Sequence, residues 1–173
     1  IQSGDEAMLI DGGDKAHSSV TVAVLKNAGV EKLKYLVATH FDADHLYGAV
    51  GALEAVGAET VLVPDYASDT VIFQDFMRHL EAKSEEVKAV HPQPGETYRL
   101  GYCEFTILAP CGEGYEAEND HSLALRFTDG MHSLLVTGDA ERVSEEEMLA
   151  NNKGRRSLAS DVYIAGHHGS TSS

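Results

Sequence analysis

The segment from Thr39 to His45 reads Thr-His-Phe-Asp-Ala-Asp-His and places four potential metal ligands within six residues. It follows residues 34–38, an apolar run that predicts a buried β-strand. Imidazole and carboxylate groups crowded this closely repel one another or lose hydration at a cost, unless a cation compensates them. Because a strand end would hold these groups in fixed positions, the segment favours a metal site over a solvated polar loop.

The composition is that of an ordinary soluble globular protein. The chain has 173 residues, of which 43% are hydrophobic and 24% are charged. This length predicts one domain over residues 1–173 with a core of its own. No stretch approaches the roughly 20 apolar residues that a membrane span requires. The first residue is Ile1 rather than Met, which indicates a piece of a longer protein.

The net charge of −15 bears on the class of partner. A field of this sign repels polyanions and argues against broad, charge-driven binding of nucleic acid. Part of the charge lies where it could hold cations, however, and bound divalent ions would return positive charge at the site itself. Six such aspartates are predicted in loops: Asp11, Asp14, Asp42, Asp44, Asp120 and Asp139. The charge therefore argues against a nucleic-acid substrate without excluding one.

The first half of the sequence alternates strands with helices. Apolar runs predict strands at 7–10, 33–38 and 59–63, and helices at 18–28, 46–56 and 69–83. Ser18 or Ser19 is the expected N-cap of the first helix, and Gly29 ends it. The third helix is expected to present one apolar face made of Val71, Ile72, Phe76 and Leu80.

The second half consists mainly of strands. Strand-like runs occur at 96–100, 103–108, 122–127, 133–137 and 162–165. Asp129 and Gly130 predict a hairpin, and a capping box at Ser144–Glu147 predicts the start of a short helix. Residues 151–157 form a polar connection. This order predicts sheet-on-sheet packing with helices outside.

Potential ligands recur where predicted strands end. Asp11 and Asp14 follow the first strand, Asp139 follows the strand at 133–137, and His167 and His168 follow the last one. His121 immediately precedes a strand instead. Each of these features alone is typical of an ordinary turn, but strand ends can converge in space and a rigid sheet can hold ligands within the tolerance of a metal site.

Four motifs resemble the metallo-β-lactamase fold superfamily and, within it, the C-terminal domain of ComEC-type DNA-uptake competence proteins. They are Leu-Ile-Asp-Gly-Gly at 9–13, the segment at 39–45, Asn-Asp-His-Ser-Leu at 119–123 and Gly-His-His-Gly-Ser at 166–170. The resemblance implies an α+β fold, a four-layer αββα sandwich, in a family whose domain continues beyond residue 173.

The resemblance also implies a site for one or two divalent ions, zinc or manganese. The implied ligands are His40, Asp42, Asp44, His45, Asp139 and His167. The first two would hold one ion and the next two the other, with Asp139 bridging them and either His167 or His168 completing the second position. Asp42 stands where the wider superfamily has histidine. Its carboxylate oxygen is a harder donor than an imidazole nitrogen, so it would weaken zinc binding there or favour manganese. The family's middle histidine has no clear equivalent, although Asp120 and His121 lie near its place.

The implied activity is that of a metal-dependent hydrolase, a phosphodiesterase or nuclease in which metal-bound hydroxide attacks phosphorus in line. Three residues are assigned to catalysis: Asp44, His121 and His168. Of these, His121 or His168 would protonate the leaving alkoxide. Asn119 and Ser170 would bind non-bridging phosphate oxygens, although ordinary turn hydrogen bonds explain both residues equally well.

The implied partner is DNA or another phosphodiester. The parent chain would carry membrane segments outside this sequence, with the domain at the bacterial cell envelope; a cytoplasmic location is the alternative. Two other functions stay open. One is hydrolysis of a small ester, lactone, β-lactam or choline phosphodiester, and the other is a degenerate, non-catalytic metal-binding domain.

Overall fold

The computed structural model describes residues 1–152 and 158–172, so most of the polar connection predicted over 151–157 lies outside the described residues. The chain divides into two compact units, Ile1–His91 and Pro92–Ser173. Within the described residues, every helix is too short or too polar to cross a membrane.

The first unit alternates strands and helices, as the sequence predicts. Its elements are β1 (Gln2–Ser3), β2 (Glu6–Ile10), α1 (Ser18–Asn27), β3 (Leu33–Val37), α2 (Ala43–Ala55), β4 (Ala58–Leu62), α3 (Val71–Ala82) and β5 (Lys88–Val90). They form a five-stranded sheet in the order β1-β2-β3-β4-β5, parallel except for the β1–β2 pair. Parallel strands finish at the same edge, so the residues after β2, β3 and β4 are neighbours there.

The core of the first unit lies between this sheet and its helices. Strand β3 buries Leu33, Leu36 and Val37 completely. Helix α3 buries Ile72, Phe76 and Leu80, which recur at a spacing of four residues along one helical face. Val71 was expected on that face and is 81% exposed. That expectation was wrong because Val71 lies about 100° around the helix from Ile72.

Two helix starts differ from the sequence prediction. The N-cap of α1 is His17, whose carbonyl accepts the backbone N–H of Thr21 at 3.0 Å, and the Ser18 hydroxyl donates to the carbonyl of Tyr47 at 3.2 Å. Helix α2 begins at Ala43 rather than near residue 46. Asp44 therefore lies in the first turn of a helix and not in a loop.

The second unit is built on an antiparallel sheet with one parallel edge. Its elements are β6 (Thr97–Leu100), β7 (Cys103–Ala109), a 3-10 helix (Glu118–His121), β8 (Ala124–Thr128), β9 (Ser133–Val136), α4 (Arg142–Asn151), β10 (Val162–Ile164) and a second 3-10 helix (Gly166–Gly169). The strand order is β10-β9-β8-β7-β6, and only β9 and β10 are parallel among these neighbours. The segments after β9 and β10 therefore lie at the same edge.

The hairpin predicted at Asp129 and Gly130 joins β8 to β9 and is confirmed by their antiparallel pairing. The expected capping role of Ser144 is wrong. Helix α4 begins two residues earlier, at Arg142, and Ser144 is buried inside its first turn.

Candidate metal centre

A relay of hydrogen bonds orients both histidines of the segment that follows β3. Asp11, in a left-handed backbone conformation with φ of 53°, accepts the Thr39 backbone N–H at 2.8 Å and the Thr39 hydroxyl at 2.7 Å. Nδ1 of His45 lies 2.8 Å from Asp11 Oδ2, and Nδ1 of His40 lies 3.0 Å from the Thr39 hydroxyl oxygen. Since Nδ1 of each ring faces this relay, Nε2 is the nitrogen presented to a metal.

Each of these histidines is paired with a carboxylate of the same segment. His40 Nε2 lies 3.8 Å from Asp42 Oδ2, and His45 Nε2 lies 3.8 Å from Asp44 Oδ2. The imidazoles are buried, with ring centroids 4.1 Å apart, whereas about half of each carboxylate side chain is exposed. A separation of 3.8 Å exceeds a hydrogen bond but allows both atoms to bind one ion at ligand distances of about 2.0–2.2 Å. The donor set therefore fits zinc or manganese.

Close backbone contact fixes the segment after β2 against helix α2. The Gly12 N–H donates to the carbonyl of His45 at 2.8 Å, and the Gly48 N–H donates to the carbonyl of Gly13 at 3.0 Å. A Cβ atom at Gly48 would lie 1.7 Å from the Gly12 carbonyl oxygen. Only glycine permits this approach, which brings Asp11 to the first turn of the helix.

Asp14 lies outside this cluster. Its Oδ1 atom is 2.8 Å from Nδ1 of His17, and both residues are exposed. The hydrogen bonds from the side chain and backbone of His17 hold the pKa of Asp14 below its usual value.

In the second unit, the edge shared by β9 and β10 brings Asp139 and His168 together. His168 Nε2 lies 3.4 Å from Asp139 Oδ2, and the Asp139 backbone N–H donates to the hydroxyl of Ser122 at 3.1 Å. His167 turns elsewhere, with Nδ1 at 2.7 Å from the Ser172 hydroxyl and 3.2 Å from Glu141 Oε1. The structure thus places His168, rather than His167, beside the predicted bridging carboxylate.

The two predicted phosphate-binding residues take part in local hydrogen bonds. The Asn119 amide donates to Glu141 Oε1 at 3.1 Å, and the Ser170 hydroxyl accepts from that of Ser172 at 3.2 Å. Glu141, which belongs to none of the four motifs, is therefore a common partner of Asn119 and His167. The only sequence signal for it is its position two residues after Asp139.

Asp120 and His121, near the place of the family's middle histidine, have different surroundings. Asp120 is buried and was wrongly expected in a loop: its Oδ1 accepts the backbone N–H groups of Glu141 and Ser144, each at 3.1 Å, and so caps helix α4. The ring of His121 packs edge-on against Tyr115 at a centroid distance of 5.0 Å. Burial, reinforced by a hydrogen bond to Glu147, raises the pKa of Tyr115 to about 12.

The described residues therefore include histidine and aspartate side chains that could hold a divalent metal. The first unit brings together the four predicted ligands of the segment after β3, with Asp11 and Thr39 behind them. The second unit brings together Asp139 and His168.

Comparison with known proteins agrees with the resemblance drawn from the four motifs. A model of the metallo-beta-lactamase superfamily matches residues 1–173. The competence protein ComA of Neisseria gonorrhoeae is 29% identical over 177 residues, covering 100% of this chain and 22% of that protein. ComE operon protein 3 of Bacillus subtilis is 27% identical over 158 residues, covering 89% of this chain and 19% of that protein. The chain thus spans about a fifth of the length of these relatives.

Solved structures share the fold at low sequence identity. The metallo-beta-lactamase fold protein YhfI from Bacillus subtilis is 23% identical with a TM-score of 0.52, covering 80% of this chain and 52% of that one. The metallo-beta-lactamase SMB-1 is 20% identical with a TM-score of 0.61, covering 96% of this chain and 71% of that one. Such likeness shows the fold alone.

Proposed function

Because the chain belongs to the metallo-beta-lactamase superfamily, whose members are generally hydrolases, we propose that it is a metal-dependent phosphodiesterase or nuclease domain of a DNA-uptake competence protein. The observation that carries the proposal is the pairing of a buried histidine Nε2 with a carboxylate, which occurs twice in the segment after β3. Two such pairs are a donor set for divalent ions in a hydrolase.

The proposed metal ligands are those implied by the motifs: His40, Asp42, Asp44, His45, Asp139 and one histidine of the 167–168 pair. For that pair the 3.4 Å approach of His168 to Asp139 supports His168 as the ligand. Bound zinc or manganese would lower the pKa of water and neutralise charge that grows on the phosphate oxygens.

The chain's own residues would bind the substrate and move its protons. Asp44, whose side chain is 54% exposed, would accept a proton from water. His121, half-buried against Tyr115, is the proposed donor of a proton to the leaving alkoxide. Asn119 would donate its amide N–H groups to non-bridging oxygens, with Glu141 fixing the orientation of the amide. Ser170 would bind non-bridging oxygens through its hydroxyl.

The proposed partner is DNA in the wider context of a longer protein with membrane segments at the cell envelope. The net charge of −15 opposes long-range attraction of DNA, so binding would depend on metal at the site itself.

A cleavage assay tests the activity. Single-stranded DNA, double-stranded DNA and bis-p-nitrophenyl phosphate would be incubated with the wild type and with Asp139→Asn, in zinc and in manganese. Asp161→Asn serves as a matched control, because Asp161 binds only Ser133 among its described hydrogen-bond partners. Metal-dependent cleavage that Asp139→Asn abolishes and Asp161→Asn retains would support the proposal. No cleavage with either ion would overturn it.

The acidic charge favours a second candidate, hydrolysis of a small ester, lactone, β-lactam or choline phosphodiester. Turnover of nitrocefin or of a choline phosphodiester, without cleavage of DNA, would establish this alternative. Metal analysis could instead find at most one bound ion per chain. If Asp139→Asn also left the function of the domain unchanged, the protein would be a non-catalytic metal-binding domain.

A further inference from the structure

Phe41, the one residue between His40 and Asp42, is held in place by aromatic packing. The ring of Phe41 is 1% exposed and packs against Tyr66 and Phe73, at centroid distances of 4.6 and 4.7 Å. In addition, the backbone N–H of Phe41 donates to the Tyr66 hydroxyl at 3.0 Å. We call Phe41, Tyr66 and Phe73 the aromatic cluster.

This hydrogen bond acts on the peptide group that links His40 to Phe41. A buried backbone N–H requires a partner, and here a side chain supplies it where the β3 ladder has ended. The peptide plane cannot rotate without breaking the bond, while the buried ring prevents the turn from sliding outward. The hydroxyl therefore fixes the direction in which the chain leaves His40 and reaches Asp42.

The position of Tyr66 explains why it can reach this turn. It follows β4, the parallel neighbour of β3, in which Leu62 pairs with Val37. Residues beyond these two strands finish at the same sheet edge, so a side chain four residues after Leu62 can meet the turn four residues after Val37.

We infer that Tyr66 is a positioning residue for the metal ligands, setting the geometry of the His40–Asp42 pair through the backbone of Phe41. The inference rests on the proposed function, because it assumes that this pair binds metal. Residues that orient ligands without touching the metal commonly change its affinity by 10–100-fold.

The test is Tyr66→Phe, which removes the hydroxyl and keeps the ring. Two controls separate positioning from general effects. Tyr35→Phe removes a hydroxyl on β3, five residues before His40. Phe76→Leu shortens a fully buried side chain of α3 and should destabilise the first unit. Phe76 takes no part in the hydrogen bond between Phe41 and Tyr66. Zinc affinity would be measured by chelator competition, ligand geometry by the visible spectrum of bound cobalt, and the hydrogen bond by amide exchange at Phe41.

We expect Tyr66→Phe to bind zinc about tenfold more weakly, with an altered cobalt spectrum and faster exchange of the Phe41 amide. Both controls should stay within about twofold of wild-type affinity. Unchanged zinc affinity in Tyr66→Phe, or an equal loss in Phe76→Leu, would overturn the positioning role while leaving the proposed function intact. A wild type that binds no zinc, manganese or cobalt would overturn the proposed function and the positioning role together.

Discussion

Asp11 holds His45 through a 2.8 Å contact between its Oδ2 atom and the imidazole Nδ1. The same oxygen accepts the Thr39 hydroxyl, whose own oxygen faces Nδ1 of His40. One carboxylate therefore sets the ring orientation of two predicted ligands, although the whole of α1 and β3 separates it from them in sequence.

Asp11→Asn should weaken metal binding by about 10–100-fold, because an amide offers one acceptor oxygen where the carboxylate uses two. Metal content after dialysis and zinc affinity by chelator competition would measure the loss. Asp14→Asn is the matched control, since it lies three residues away and its carboxylate bonds to exposed His17. Equal affinities in the two variants would contradict the orienting role of Asp11.

Gly48→Ala should destabilise the first unit by more than about 3 kcal/mol, because its Cβ would overlap the Gly12 carbonyl oxygen and neither backbone segment can yield. Urea unfolding followed by circular dichroism measures the effect. Gly57→Ala provides the comparison: it has positive φ but nothing within 4 Å of a new Cβ, so about 1 kcal/mol is expected. An equally small loss at Gly48 would show that the segment after β2 can move away.

Asp120→Ala should lower the free energy of unfolding by about 1–2 kcal/mol, because two backbone N–H groups at the start of α4 lose their acceptor. Metal content should be unchanged, since this carboxylate caps a helix. Glu118→Ala, an exposed change in the same 3-10 helix, should be close to neutral. Loss of metal at unchanged stability would instead identify Asp120 as a ligand.

Asp129 predicts a pH dependence of stability. The backbone N–H groups of His132 and Met131 lower its pKa from 3.8 to about 2. A carboxyl group with a depressed pKa stabilises the fold above its unfolded pKa, and this contribution is lost as pH falls from about 4 to about 2. Urea midpoints should therefore fall less over this range in Asp129→Asn than in the wild type. Glu146→Gln, an exposed carboxylate change on α4, should keep the wild-type slope; identical slopes in all three proteins would contradict the prediction.

The sequence predicts most of the fold because long apolar runs such as residues 33–37 mark buried strands. Strands β1 and β5 escape this pattern because they are only two and three residues long, too short to show an apolar run. The predicted metal-binding segment, residues 39–45, is recognisable from its local crowding of donor side chains. The relay through Asp11 is not, since it joins positions 28 apart. The roles of His167 and His168 also depend on backbone angles, with φ of 44° and 54°, that spacing alone does not reveal.

Asp42 occupies the N-cap position of α2, yet within the described residues its carboxylate makes no capping hydrogen bond and lies near His40 instead. A filled cap is typically worth about 1 kcal/mol. The fold thus forgoes a stabilising contact at this helix start, and the oxygen is left for the metal under the proposed function. A library selected only for heat resistance would favour side chains at position 42 that cap the helix, and would remove the proposed metal ligand in the process.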